Sequence, residues 1–158
     1  MKKALFLTAI IFLVSMGLFA QDYKTAIGIR GGFPTGINFK TFTSNDKAIE
    51  VILSGYGGGF ELTGLLEFHK QAFDTPNLNF YYGPGLHIGS FGNNVIIPGY
   101  YGNNRSTGFN LGIDAILGIE YTLTEIPFVI GIDVKPAIDF FSSNPFYVAS
   151  GLSIRFYF

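Results

Sequence analysis

The segment that decides the fold is the last twelve residues, YVASGLSIRFYF, at Tyr147–Phe158. Large apolar side chains take most alternate positions in it, and the residues between them are small or polar: Ala149, Gly151, Ser153 and Arg155. This alternation is typical of a strand with one apolar and one polar face. In water an apolar aromatic strand at a sheet edge promotes aggregation. Closed into a barrel within a membrane, it has no free edge and its apolar face meets lipid. The segment therefore predicts a transmembrane barrel.

The same alternation recurs along the chain, and no segment shows a convincing helical period. It is clearest in the sixth segment, where apolar residues from Phe109 to Tyr121 alternate with small, polar or charged ones, Ile116 apart. The eight predicted strands are Tyr23–Phe33, Ile37–Phe42, Ile49–Ser54, Phe60–His69, Leu78–Gly89, Phe109–Tyr121, Phe128–Phe140 and the closing strand after Pro145. Eight is an even number and the smallest count for transmembrane barrels. We expect an all-β, antiparallel, up-and-down barrel.

The second face of these strands carries many glycines and charges of both signs. Small residues and paired charges suit the narrow lumen of an eight-stranded barrel, which side chains fill completely. Buried charges have to be paired or hydrogen-bonded. We therefore expect a charge network inside the lumen, formed by Arg30, Lys40, Glu50, Glu61, Glu67, Asp114, Glu120, Asp133, Lys135, Asp139 and Arg155.

Residues 1–20 have the pattern of a secretory signal peptide. Lys2 and Lys3 are followed by the apolar run Ala4–Leu18, and Ala20 precedes the polar start of the remaining chain. This order of charged, apolar and small residues is typical of a cleaved signal. The run is shorter than the roughly 18–20 residues of a membrane-spanning helix. We expect a mature domain at 21–158.

Composition excludes several classes of protein. The chain has no cysteine, so it forms neither disulfides nor thiolate metal sites. Without Lys2 and Lys3, eight basic residues face eleven acidic ones, which is not the charge balance of a nucleic-acid-binding protein. Hydrophobic residues make up 48% of the chain and charged residues 13%, which fits one β-domain with a large apolar surface. We expect a monomer without cofactor, whose partner is outer-membrane lipid.

The predicted connections agree with a barrel whose N-terminus is periplasmic. Three connections are then short and periplasmic: Ser44–Lys47, Asp74–Asn77 and Thr122–Glu125. The longest connection, Gly92–Arg105, falls on the outside, as is usual for outer-membrane barrels. Pro84 and Pro136 lie within predicted strands, where each removes one ladder hydrogen bond. Bulges or strand ends are the expected places for such prolines.

The eight strands, the signal peptide and the closing strand resemble the small outer-membrane β-barrel family of Gram-negative bacteria, the OmpA/OmpX type. GIRGGFP at 28–34 and GLSIRFYF at 151–158 are similar to segments of a mostly uncharacterised group within it. The resemblance implies an outer-membrane location. It also implies that the last strand carries the signal read by the barrel-assembly machinery, formed by Leu152, Ile154, Phe156 and Phe158.

The sequence leaves several functions open. His69 and His87 on adjacent strands suggest a proton-transfer pair or metal ligands, but no third ligand has metal-type spacing, and a structural role in a hydrogen-bond network is favoured. A lipid-modifying enzyme needs a nucleophile, base and acid in contact, and no serine lies in a nucleophile-elbow motif.

Two further hypotheses are a narrow pore and a soluble lipocalin-like barrel, the latter with apolar faces turned inward. The favoured prediction is a plugged, non-enzymatic barrel with a structural role or a surface-interaction role through Gly92–Arg105 and Ser142–Pro145.

Overall fold

A computed structural model describes residues 24–56, 58–91, 108–141 and 145–158. The predicted signal peptide, the predicted outer loop Gly92–Arg105 and most of the Ser142–Pro145 connection lie outside the described residues. The described chain contains eight strands: β1 (Thr25–Phe33), β2 (Thr35–Ser44), β3 (Lys47–Tyr56), β4 (Gly59–Gln71), β5 (Leu78–Phe91), β6 (Gly108–Thr122), β7 (Phe128–Asp139) and β8 (Phe146–Tyr157). Within these residues there is no helix of the length and apolarity needed to cross a membrane.

The strands form one closed barrel in which each pairs antiparallel with its neighbours in the sequence. Pairing of β1 with β8, from Ala26 opposite Tyr157 to Phe33 opposite Ser150, closes the sheet. The predicted all-β, eight-stranded, up-and-down barrel is confirmed. Because the eight described strands close on themselves, the backbone polar groups of each strand face a neighbouring strand on both sides.

The second strand is longer than predicted at both ends. The turn predicted at Pro34–Gly36 is shorter, because Gly36 already pairs with Arg30 and β2 begins at Thr35. The second strand also continues past Phe42 to Ser44, with a shift in register between these two residues. The shift breaks the apolar–polar alternation, which is why the pattern ends before the strand does.

The barrel has two distinct ends. We call the end with Lys24 and Phe158 the terminal end; three short connections, at 45–46, 72–77 and 123–127, lie there. The strand ends that flank the other four connections, at 34, 57–58, 92–107 and 140–145, lie at the opposite end, which we call the loop end. Phe91 and Gly108, which flank the predicted outer loop, are therefore at the end opposite the three short connections.

The outward-facing residues make the barrel wall apolar. Ile29, Ile132 and Leu152, on three different strands, are 63%, 58% and 53% exposed. Exposed aromatic residues mark the loop end, at Phe60, Phe109, Phe140, Phe141 and Phe146, and the terminal end, at Phe73, Phe80, Tyr121, Phe156 and Phe158. In the described part of the chain every exposed charged residue belongs to the terminal end: Lys24, Asp46, Lys47, Lys70, Asp74 and Glu125.

Both strand prolines lie well inside their strands, not at bulges or ends. Pairing of β4 with β5 stops at Leu65 and resumes at Phe68, which leaves residues 66–67 unpaired opposite 83–84. Pairing of β6 with β7 likewise stops at Asp114 and resumes at Leu117. The register is the same on both sides of each gap. Each proline keeps a partner on its other side, so a missing N–H interrupts only one of its two ladders.

Candidate functional site: the charged lumen

The structure places all eleven predicted network residues inside the barrel, where none is more than 6% exposed. They come from every strand but β5, and they separate into two clusters, one further ion pair and Asp139. The terminal cluster comprises Asn38, Lys40, Glu50, Glu67, His69, Glu120 and Arg155. The loop cluster comprises Glu61, Thr63, His87, Asn110, Asp114, Lys135 and Tyr147. The further pair is Arg30 with Asp133.

Lys40 is the centre of the terminal cluster. Its Nζ lies 2.6 Å from Glu67 Oε2, 3.1 Å from Glu120 Oε2 and 3.3 Å from Glu50 Oε2. The same ammonium group stands 4.2 Å from the centre of the Tyr81 ring, a distance that allows a cation–π interaction. One lysine from β2 thus contacts carboxylates on β3, β4 and β6 and ties opposite walls of the barrel together.

Arg155 is the second cation of the terminal cluster. Its Nη1 donates to Glu50 Oε1 at 3.2 Å, and its Nη2 donates to Glu120 Oε2 at 3.1 Å. His69 Nε2 lies 3.0 Å from Glu67 Oε2, and the ring stacks on Tyr81 with 5.4 Å between centroids. These contacts pair each of the three carboxylates with at least one basic side chain, which buried charges require.

The loop cluster is organised around Lys135 and Asp114. Lys135 Nζ lies 2.6 Å from Asp114 Oδ1 and 3.3 Å from Glu61 Oε1. His87 Nδ1 lies 2.8 Å from Asp114 Oδ2. Tyr147 donates its hydroxyl to Glu61 Oε2 at 3.1 Å. The cluster therefore joins side chains of five consecutive strands, β4 to β8, in one hydrogen-bonded unit near the loop end.

The Arg30–Asp133 pair joins β1 to β7 over the intervening strand β8. Arg30 Nη2 and Nε donate to the two carboxylate oxygens at 2.5 Å and 3.3 Å, the two-point geometry that favours arginine over lysine. Its Nη1 also donates to the Pro34 carbonyl at 3.2 Å. A Cβ at Gly151 would overlap the Arg30 guanidinium, so a larger residue there would require this side chain to move. The last predicted network residue, Asp139, is buried and accepts a hydrogen bond from the Phe141 backbone N–H.

An apolar layer lies between the two clusters. It consists of Ile52, Leu65, Tyr81 and Ile116, which are packed together and at most 3% exposed. Along β4, Leu65 comes between Glu61 and Glu67, and along β6, Ile116 comes between Asp114 and Glu120. We call these four residues the septum. It separates the two clusters on the side of the barrel formed by β3 to β6, and the Tyr81 hydroxyl donates to Asp133 Oδ2 at 3.4 Å.

The septum was not predicted from the sequence, although a signal for it exists. Strand segments normally alternate apolar and polar residues, but 51–53, 65–66 and 116–117 are apolar on both faces. Such a break in the pattern marks the depth at which inward side chains are apolar too. The hydrogen-bonding partners Asn38, Asn110 and Tyr147 were also missed, because an uncharged polar residue on an inward face carries no distinctive signal.

Each cluster has the same imbalance of charge. The terminal cluster sets three carboxylates against one lysine and one arginine, and the loop cluster sets two carboxylates against one lysine. Each also contains one histidine next to a carboxylate. One bound proton in each cluster, on the histidine or on a carboxyl group, makes that cluster neutral.

The two histidines do not form the pair considered from the sequence. His69 is opposite Tyr81 in the β4–β5 register, whereas His87 is opposite Thr63, and the two belong to different clusters. Among the residues that the structure describes, no group of three or more His, Cys, Asp or Glu is arranged to hold a metal. Within the same residues His87 Nε2 has no hydrogen-bond partner, and Ser153 Oγ donates to the Gly131 carbonyl.

The residues of the predicted assembly signal lie on the outer face of β8. Leu152, Ile154, Phe156 and Phe158 are 53%, 42%, 43% and 42% exposed. The Phe156 ring packs against Phe128 of β7, with centroids 5.7 Å apart. This alternate row of outward apolar side chains reaches the terminal end of the barrel.

Comparison with known proteins supports the fold. No family model and no curated protein matches the chain. Among solved structures, the N-terminal β-barrel domain of Pseudomonas aeruginosa OprF is similar, with a TM-score of 0.64 and 17% identity; the match covers 87% of this chain and 100% of that one. The chain therefore has the fold of the small OmpA-type barrels.

Proposed function

We propose that this chain is a non-enzymatic outer-membrane β-barrel protein. Its lumen is plugged by the two charge clusters and the septum, and its role is structural or one of surface interaction through the loop end. We further propose that it is a monomer, that residues 1–20 are removed on export, and that Leu152, Ile154, Phe156 and Phe158 guide its assembly.

The observation that carries this proposal is the direction of the side chains. Outward positions along the wall are apolar, and the charged residues of the strand interiors point inward and are buried. In water such a wall would be an aggregation hazard far larger than the apolar patches of ordinary soluble proteins. In a bilayer the same wall faces hydrocarbon, with aromatic residues near both interfaces. A lipocalin-like barrel needs the opposite arrangement.

The interior supports a plug in preference to an open channel. Lys40 contacts carboxylates on three other strands, and Arg30 pairs with Asp133 over β8. Side chains fill the interior of eight-stranded barrels. The septum adds apolar side chains between the two clusters, which give a permeating ion no substitute for its hydration.

Cell fractionation with a heat-modifiability gel tests the location and fold. We expect the processed protein in the outer-membrane fraction, with an unheated form that migrates differently from the boiled form because the barrel stays closed in detergent. Recovery of the protein as a monodisperse species in buffer without detergent would refute the membrane proposal.

Planar-bilayer recording tests the plug. We expect no steady conductance from the folded wild-type protein. The matched variant replaces Leu65 and Ile116 together by serine, which removes the apolar layer but leaves every charged residue in place. Stable conductance from the wild-type barrel would refute the plugged lumen and support the narrow-pore hypothesis.

A further inference from the structure

The outer wall contains a cleft of about 400 Å³, a size typical of small-molecule sites. Outward-facing side chains form its sides: Phe68, Tyr82, Pro84 and Ala115. Asp114 and Ile116, whose side chains point inward, border its base. The cleft therefore lies in the apolar face of the barrel and is broadly open to the surroundings.

The cleft coincides with the interrupted strand pairing. Pro84 lies beside the gap between β4 and β5, and Ala115 begins the gap between β6 and β7. Pro84 and Ala115 are themselves opposite each other in the β5–β6 register. Because prolines cannot donate to the ladder, the pairing of the wall is interrupted where β4, β5 and β6 line the cleft.

The Asp114 carboxylate adds no charge to the cleft, because its side chain is fully buried. Asp114 is held by Lys135 Nζ at 2.6 Å and His87 Nδ1 at 2.8 Å inside the loop cluster. Aromatic and aliphatic groups supply most of the remaining lining. The cleft therefore favours a hydrocarbon occupant over a polar one.

Two exposed lysines lie on the terminal-end side of the cleft. Lys47 is opposite Phe68 in the β3–β4 register, and its Nζ stands 6.0 Å from the centre of the Phe68 ring. Lys70 is two residues further along the same face of β4 and is opposite Phe80. Phe68, whose ring also lies 5.9 Å from that of Tyr82, thus connects the lysines to the cleft.

We propose that this cleft and its two lysines bind one anionic glycerophospholipid, with an acyl chain in the cleft and the phosphate at Lys47 and Lys70. The proposal rests on the membrane location proposed above, which puts the terminal end at the periplasmic leaflet. An apolar cleft that continues into two cations matches a lipid with a hydrocarbon tail and an anionic head group. A soluble apolar ligand would leave the lysines without a partner, and a soluble anion would leave the apolar cleft unfilled.

The test measures lipids retained by the whole mature protein. The protein is folded into vesicles of equimolar phosphatidylglycerol and phosphatidylcholine, checked by heat modifiability and extracted in mild detergent, and native mass spectrometry counts each bound lipid. Each cation near a lipid surface contributes roughly a fivefold gain in affinity. We expect wild type to retain one phosphatidylglycerol in preference to phosphatidylcholine. In the Lys47→Gln/Lys70→Gln variant we expect the ratio of retained phosphatidylglycerol to phosphatidylcholine to fall about 10- to 30-fold.

Two further variants separate the parts of the site. Lys24→Gln removes an exposed lysine at the same end but next to β1, and we expect it to retain phosphatidylglycerol as wild type does. Ala115→Phe fills the cleft without touching either lysine, and we expect it to retain neither lipid.

Equal retention of both lipids by wild type, or phosphatidylglycerol binding unchanged in the double lysine variant, would overturn the lipid site. Either result, with a protein that still folds in vesicles, leaves the membrane proposal standing. A protein that does not enter vesicles refutes both.

Discussion

Replacing Arg155 by methionine tests whether the lumen network is buried in fact. Arg155 is 1% exposed, and its guanidinium donates to Glu50 and Glu120 at 3.2 Å and 3.1 Å. Methionine keeps most of the side-chain volume but removes the charge. The three carboxylates of the terminal cluster would then share Lys40 as the one Lys or Arg left within that cluster. Removing one partner of a buried ion pair typically costs about 3–5 kcal/mol, because the remaining charge is uncompensated.

Urea unfolding of the barrel in vesicles measures this cost. With a slope of about 2 kcal/mol per molar urea, a loss of about 4 kcal/mol lowers the midpoint by about 2 M. Arg155→Met/Glu120→Gln removes one negative charge along with the positive one, so we expect it to recover part of the loss. That recovery is what distinguishes an electrostatic effect from a simple loss of packing.

Lys24→Met is the matched control, since Lys24 is exposed and a surface change of this kind alters stability by about 0.5 kcal/mol or less. An unchanged midpoint for Arg155→Met would mean that water solvates the terminal cluster and that the lumen is open. Equal losses in the single and double variants would mean that the network's charge balance is unimportant.

Three further predictions concern the wall and the last strand. Gly83→Ala places a Cβ 1.8 Å from the Leu66 carbonyl oxygen and should destabilise the barrel strongly, whereas Gly64→Ala, with open space around its Cβ, should not; comparison of their urea midpoints checks this. Ile132→Arg should cost about 2–4 kcal/mol in vesicles, and Ile126→Arg, in a terminal-end turn, should cost far less; similar losses would contradict a hydrocarbon-facing wall. Phe158→Ala should lower the amount of heat-modifiable protein in the outer membrane without lowering the stability of the refolded barrel. Normal assembly of this variant in cells would refute the proposal that Phe158 belongs to an assembly signal.

The sequence was sufficient for the fold because side-chain alternation is a local property. In β6, the side chains from Phe109 to Tyr121 keep to their predicted faces without exception. Every predicted network residue is inward for the same reason. A period of two requires only that the strand be regular, and it does not depend on which strands are neighbours.

The partners within the lumen were not predictable in the same way. Lys40 on β2 contacts Glu120 on β6, 80 residues further along the chain. Which inward residues reach the same depth depends on the tilt and stagger of the strands, and the sequence pattern does not specify that stagger. For this reason the charged residues could be predicted but not their division into two clusters, and the two histidines expected to lie together are separate in the structure.

The septum has a consequence for how the two clusters depend on each other. Ile52, Leu65 and Ile116 supply no hydrogen-bonding side chain, and the Tyr81 hydroxyl donates to Asp133, which belongs to neither cluster. Substitutions at well-separated sites without shared partners usually have additive effects on stability. Damage to the terminal cluster and damage to the loop cluster should therefore lower the free energy of unfolding by independent amounts, so that one half of the interior tolerates the loss of the other.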